Sequence, residues 1–300
     1  MKSPSIDIII PCYNVEHSIA KCINSILRQA EIENTLTLYL INDGSTDKTV
    51  SILHEFDVYE NIYLLHQPYN KGLAAARNLG IESGKGELLI FLDSDMVVEE
   101  GWLSTHLTAI AKPGVVGVLG KSEPFRDDRS KLNKYLYHKK RGAGKYGENT
   151  AIPCQYFLFN NTSIKRSVLK NTGVFDERIT KYGGEDTDLA IRIFEHFPQG
   201  LRYSAKALCY HHHPRTFQEF CHSMYLYGKN NLHFLLLKHP DHSKVLAGDY
   251  LQSFKGKLIF NVCIRSICLI INKVIDNYFV MRYLVVESVI RGERDGEKGV

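Results

Sequence analysis

The chain has no apolar stretch approaching the ~20 residues that span a bilayer. Its first apolar run, residues 8–10 in "MKSPSIDIIIPCYN", is stopped at once by Pro11, so no secretory leader is expected. It also lacks a paired-cysteine framework. The seven cysteines are odd in number and scattered, with no CxxC pair. They are expected to be reduced thiols of a cytosolic protein. In that setting the overlapping sequons at Asn160, Asn161, Thr162 and Ser163 carry no meaning. A large charge is missing too. The net value of +4 makes no argument for nucleic acid, and no nucleic-acid partner is expected. The single dense basic run, Lys139-Lys140-Arg141, reads as solvated surface. What is present is an ordinary globular composition, 44% hydrophobic and 23% charged, over 300 residues, enough for one large domain or two.

The first 125 residues alternate in type. Residues 6–11, 36–43, 61–67 and 87–95 read as short apolar strands. Residues 18–29, with Ile19, Cys22, Ile23, Ile26 and Leu27 at helical spacing, read as a helix, as do 47–56, with Asp47 as N-cap, and the alanine-rich 72–84. Uninterrupted apolar strands alternating with helices predict a mostly parallel, Rossmann-like α/β sheet covered on both faces. Ligands of such sheets sit beyond the carboxyl ends of the strands.

Three polar clusters fall at those ends. Pro11-Cys12-Tyr13-Asn14 follows the first strand, Asn42-Asp43-Gly44-Ser45 the second, and Asp93-Ser94-Asp95 the fourth. The stretch "LLIFLDSDMVV" (88–98) is the most demanding. Five apolar residues carry two carboxylates to the edge of the core, and a bare carboxylate costs several kcal/mol to take out of water unless compensated. The stretch calls for a cation.

Beyond residue 120 the pattern loosens. Residues 121–150 are polar, carry Gly142, Gly144 and Gly147, and read as a mobile loop. Residues 156–166 read as strand and turn, and 182–197 as a glycine turn opening a helix. Residues 201–214 read as a strand ending in His211, His212, His213 and Pro214. Alternation along a strand puts His211 and His213 on one face. The tail from about 215 is helical, aromatic and apolar. Over 251–291 it holds six Lys/Arg (255, 257, 265, 273, 282, 291) against Asp276 and Glu287. Two readings stand: helices packed on the main domain, or a basic amphipathic surface on an anionic membrane face. Expected boundaries are 1–215 for the main domain, split into 1–125 and 126–215, and 216–300 for a helical extension.

The segments "DIIIPCYN", "LINDGSTDKT", "NKGLAAARNLGIESGKGELLIFLDSD" and "FDERITKYGGEDTDLAIRI" stand in the order and spacing of family 2 glycosyltransferases, and residues 5–215 resemble that family. The resemblance implies a GT-A fold, a nucleotide-sugar donor, a divalent cation and transfer with inversion. It implies that residues 1–125 bind the nucleotide and 126–215 the acceptor. By the match, Pro11, Tyr13 and Asp43 would line the nucleoside pocket, Asp43 accepting from a pyrimidine ring N–H. Arg77 would approach the base or the phosphates. Asp93, Ser94 and Asp95 resemble the DxD motif, the first aspartate nearer the ribose and the second on the metal. Asp186 resembles the catalytic base, with Glu185 beside it on the acceptor. A histidine, His211 or His213, would complete the metal site, and the place of His211 after "ALCY" fits the family better.

Elementary chemistry agrees. Mg²⁺ and Mn²⁺ take carboxylate and phosphate oxygens, so two short carboxylates facing a diphosphate suit either ion. A sugar hydroxyl needs a base in the transition state. One carboxylate suffices, whereas a glycosidase needs two. The resemblance, with Asp43 and the DxD motif, implies a UDP-sugar as the donor, and the resemblance alone implies a cell-surface glycan or lipid-linked acceptor. The expected location is the cytoplasm, with the inner membrane face as its peripheral variant. Two alternatives remain: a haloacid-dehalogenase-like phosphatase with Asp93 as nucleophile, and a non-catalytic nucleotide-sugar-binding module.

Overall fold

A computed structural model describes residues 4–29, 36–125, 128–212 and 215–297; His213 and Pro214 lie outside them. The chain divides into two compact units, one of residues 1–126, 142–180 and 185–213, the other of 127–141, 181–184 and 214–300.

The first unit is built on an eight-stranded sheet. Its strands are β1 (Ile6–Cys12), β2 (Leu36–Asp43), β3 (Ile62–Gln67), β4 (Leu88–Leu92), β5 (Met96–Val98), β6 (Gly117–Pro124), β7 (Asn161–Lys165) and β8 (Leu201–His211), in the order β3-β2-β1-β4-β7-β6-β8-β5. The pairs β1/β2, β2/β3 and β1/β4 are parallel, as the alternating pattern requires. Every residue of β1 and β4 is buried, which accounts for the apolar runs 8–10 and 88–92; the buried Asp7 of β1 pairs with Arg166 at 2.6 Å. β3, at the edge, is only partly buried and exposes Tyr63 and His66. The chain leaves β1 toward β2 and β3, then returns on the other side as β4. The order therefore reverses beside β1, and the carboxyl ends of β1, β2 and β4 flank the resulting crevice.

The rest of the sheet is mixed. β7 runs antiparallel to β4, with Leu92 opposite Asn161, so the start of β7 meets the end of β4. β5 runs antiparallel to β8 and sets Met96 opposite His211. β6 and β8 are parallel, with a break in register between Gly120 and Lys121. The buried Asn161 amide fills that break, donating to Lys121 O at 3.1 Å and Ala207 O at 3.0 Å. A Cβ on Gly120 would stand 2.3 Å from Asn161 Nδ2, so only glycine fits there. The Asn161 carbonyl accepts from Trp102 Nε1 at 2.8 Å and meets His106 Nε2 at 3.1 Å. Burial lowers the His106 pKa to about 4, so this imidazole is a neutral part of the core.

The second unit has its own core. Leu132 and Tyr135 of helix Lys131–Leu136 pack with Phe217, Phe220, Tyr278 and Met281. This corrects the mobile-loop expectation for 121–150. β6 runs through Pro124, and Leu132, Tyr135 and Leu136 at i, i+3 and i+4 give a short helix one apolar face. Its N-cap Ser130 accepts from Asn133 N–H at 3.2 Å. Helices Phe217–Tyr227 and Tyr278–Glu297 approach so closely that a Cβ on Gly292 would meet the Tyr225 carbonyl, and one on Gly228 the Val289 carbonyl, each at 2.0 Å.

Candidate active site

The loops after β1 and β2 are tied to each other. Asn14 N–H donates to Ser45 Oγ at 3.1 Å, and Thr46 N–H donates to Asn14 Oδ1 at 2.8 Å. Pro11 is buried at the end of β1, and Tyr13 is exposed just beyond it. Asp43 ends β2 and is buried. Its two oxygens accept the N–H groups of Lys71 at 2.7 Å and Gly72 at 3.0 Å. Burial nevertheless raises its pKa, against the pull of those two bonds.

Helix Leu73–Ser83 buries small residues, Ala74, Ala75, Ala76 and Gly80, with Gly80 against Ile9 and Ile41 of the sheet, and it also buries Arg77 and Asn78. Arg77 is the centre of an ionic cluster. Its guanidinium lies 2.5 Å from Asp186 Oδ1, 3.3 Å from Asp93 Oδ1 and 3.6 Å from Glu185 Oε1, and it donates to Phe159 O at 3.0 Å. The side chain is 1% exposed. The sequence-based expectation sent Arg77 to the base or phosphates. Reaching them would require it to leave three carboxylates, one of which would lose its closest partner.

Asp186 sits in the first turn of helix Glu185–His196. Its second oxygen accepts the Phe159 N–H at 3.0 Å. Both sides of the carboxylate are thus fixed, one by Arg77 and one by the strand-entry backbone. Phe159 had no sequence signal because both its contacts are made by the main chain. Asp93 is held at the end of β4, where its N–H donates to Asn160 O at 3.0 Å.

Asp95 and His211 form a second contact. Asp95 Oδ2 stands 3.0 Å from His211 Nε2, and Asp95 O accepts the His212 N–H at 3.0 Å. The β5/β8 pairing imposes this, since Met96 lies opposite His211. His211 is buried and His212 exposed, the alternation expected of a strand. Ser94 is buried between the two aspartates. The structure therefore brings Arg77, Asp93, Glu185 and Asp186 into one cluster and joins Asp95 to His211. Asp43 engages the 71–72 backbone instead.

The electrostatics of the cluster are unbalanced. Four carboxylates (Asp93, Asp95, Glu185, Asp186) against one guanidinium leave a formal excess of negative charge. Burial raises Glu185, Asp186 adds to the rise, and Arg77 opposes it. Asp93 is also raised, by burial first, against Arg77, with Asp95 and Asp186 adding to the rise. Its side chain keeps 31% of its surface open, so burial acts on it less than on Glu185, and the neighbouring acids push the same way.

This environment suits a hard dication. A carboxylate and an imidazole at 3.0 Å can supply two ligands, and phosphate oxygens and water can supply the others. Among the described residues no group of three His, Cys, Asp or Glu forms a complete cage. Burial pushes the nearby Cys22 thiol up, and a soft sulfur ligand is poorly matched to a hard dication.

Comparison with known proteins gives the family and the fold. Glycosyl transferase family 2 matches residues 7–172, and the chain belongs to that family. The phosphatase alternative is left without support. The uncharacterized glycosyltransferase YfnE of Bacillus subtilis is 26% identical over 235 residues, 63% of this chain and 60% of its own length. The chain thus spans less than two thirds of that relative. Among solved structures, the mannosyltransferase PcManGT of Pyrobaculum calidifontis, in complex with GDP-Man and Mn²⁺, superposes with a TM-score of 0.67 at 16% identity, covering 97% of this chain and 88% of that one. TarS 1–349 of S. aureus, in complex with UDP-GlcNAc, gives 0.62 at 17% identity, covering 98% and 92%. The fold is the GT-A fold, with a helical C-terminal region.

Proposed function

We propose that the chain is a divalent-cation-dependent, inverting glycosyltransferase. It takes a sugar from a nucleotide sugar, a UDP-sugar in the first instance, and delivers it to a hydroxyl of a cell-surface or lipid-linked glycan. The observation that carries this reading is the Arg77 bridge. One buried guanidinium holds Asp186 at 2.5 Å and Asp93 at 3.3 Å, so a fixed proton acceptor faces the carboxylates at the end of β4.

Pro11, Tyr13 and Asp43, at the ends of β1 and β2, line the nucleoside pocket. Asp43, with further lone pairs beyond the two bonds to Lys71 and Gly72, accepts from a pyrimidine N–H. Asp93 and Ser94 lie toward the ribose. Asp95 and His211 would hold Mn²⁺ or Mg²⁺, with Asp93 nearby. When bound, such an ion would offset charge on the departing diphosphate, worth several kcal/mol, of order 2–5. Asp186 receives the proton of the acceptor hydroxyl, whose oxygen attacks the anomeric carbon opposite the diphosphate. The bond to the diphosphate breaks and the configuration inverts. Glu185 binds the acceptor. Arg77 is a positioning residue, fixing Asp186 and Asp93 against each other. In this division residues 1–125 serve the donor and 126–215 the acceptor.

The UDP-GlcNAc of TarS and the GDP-Man and Mn²⁺ of PcManGT support a nucleotide-sugar donor and a cation. The test is a screen of UDP-, GDP- and dTDP-sugars with Mn²⁺ or Mg²⁺, reading released nucleoside diphosphate with and without chelator. Metal-dependent release from one donor is expected. Tight binding of a sugar nucleotide with no release under any acceptor would leave a binding module instead.

A further inference from the structure

Helix Val262–Val274 contains no buried residue. Ile267, Ile270, Ile271 and Val274, at i, i+3, i+4 and i+7, form one exposed apolar stripe, with Ile270 65% and Val274 81% open. Phe254 and Leu258 of the preceding helix Phe254–Ile259 are exposed as well, and so is Phe279 beyond it. A contiguous apolar surface of this kind marks an interaction site.

The charge around it is of one sign. Between Asp249 and Asp276 the chain carries Lys255, Lys257, Arg265 and Lys273 and no acid. Lys255, Lys257 and Lys273 are exposed. Lys140 adds a further cation, its Nζ 4.6 Å from the centroid of Phe279. The acids facing this region are already paired. Asp276 binds Lys131 at 3.0 Å and Lys134 at 2.6 Å, while Glu287 binds Arg265 and Arg291, each at 3.3 Å.

We infer that helix Val262–Val274, with Phe254 and Leu258 beside it, is a membrane-docking surface for a bilayer rich in anionic headgroups. The apolar stripe would enter the headgroup–acyl boundary, and the lysines would meet the lipid phosphates. A second copy of the chain is the weaker occupant. A two-fold contact sets the same patch against itself, lysine against lysine. No helix among the described residues is long and apolar enough to cross a membrane, so the contact is peripheral on this surface. The inference does not depend on the reading of the active site.

The test is co-sedimentation of the full chain with phosphatidylcholine vesicles, with and without phosphatidylglycerol. Binding is expected only with the anionic lipid, weakening as salt is added. Ile270→Glu/Val274→Glu should weaken it about tenfold or more by removing insertion. Lys255→Glu/Lys257→Glu/Lys273→Glu should weaken it about a hundredfold or more. All five side chains are exposed, so both variants should keep the wild-type circular-dichroism melt. Equal retention of wild type and variants, or no retention on anionic vesicles, overturns the inference. So does a dimer, measured by sedimentation without lipid, that Ile270→Glu/Val274→Glu dissolves; that result assigns the surface to a second copy.

Discussion

Arg77 and Asp186 are 109 residues apart in sequence and 2.5 Å apart in space. The contact joins the helix that precedes β4 to the helix between β7 and β8. A buried guanidinium is costly unless it is compensated, and here three carboxylates and a main-chain carbonyl face its two terminal nitrogens, while Nε is buried without a hydrogen-bond partner.

Removing Arg77 is therefore expected to destabilise the fold. Arg77→Ala leaves Asp93, Glu185 and Asp186 facing one another, at a cost of about 3–5 kcal/mol. Arg77→Lys keeps the charge but loses the fork, and should cost less. Urea unfolding followed by tryptophan fluorescence measures both. A midpoint for Arg77→Ala equal to wild type would mean that the cluster does not support the structure.

Glu185 gives a pH prediction. Burial, with Asp186 adding, raises its pKa in the fold above the ordinary carboxylate value. The folded state then binds the proton more tightly than the unfolded state. The stability linked to this group is fully present below the unfolded pKa and is lost as pH rises through the folded one. Without metal, Glu185→Gln should raise the melting temperature at pH well above neutrality and change it little in mild acid. A gain confined to acid would reverse the sign and refute the assignment.

Asp95 and His211 meet at 3.0 Å across the β5/β8 pairing. Asp95→Ala should abolish metal-dependent binding of the donor diphosphate. His211→Ala should weaken it roughly 10–100-fold, the usual cost of disturbing a metal's immediate surroundings. Isothermal calorimetry of UDP binding with and without Mn²⁺ reads both. Wild-type affinity in both variants would remove this pair from the cation site.

Much of this was legible in the sequence. Asp43, Asp93 and Asp95 were placed at strand ends because apolar runs of β-branched and leucine residues stop there. The antiparallel insertion of β7 between β4 and β6 was not legible, since register is set by contacts such as Asn161 filling the Gly120 break. The acids around Arg77 were not legible, because a lone arginine in an alanine-rich helix carries no sign of three carboxylates arriving from elsewhere. Helix Lys131–Leu136 was masked by its lysines and short length, although its apolar spacing was present. The Phe159 main chain could not have been found, because a backbone hydrogen bond to Asp186 leaves no mark on residue type.

The central claim is that Asp186 takes the proton from the acceptor while the donor is held elsewhere. Asp186→Asn keeps the shape and, having one acceptor oxygen, only one of the contacts to Phe159 N–H and Arg77, and it cannot accept the proton. The decisive measurement is nucleoside diphosphate release and donor affinity on the same Asp186→Asn preparation, with the donor identified by the screen. Release should fall by roughly 10²–10⁴-fold with donor affinity within a few-fold of wild type. Undiminished release with intact donor binding would contradict the assignment.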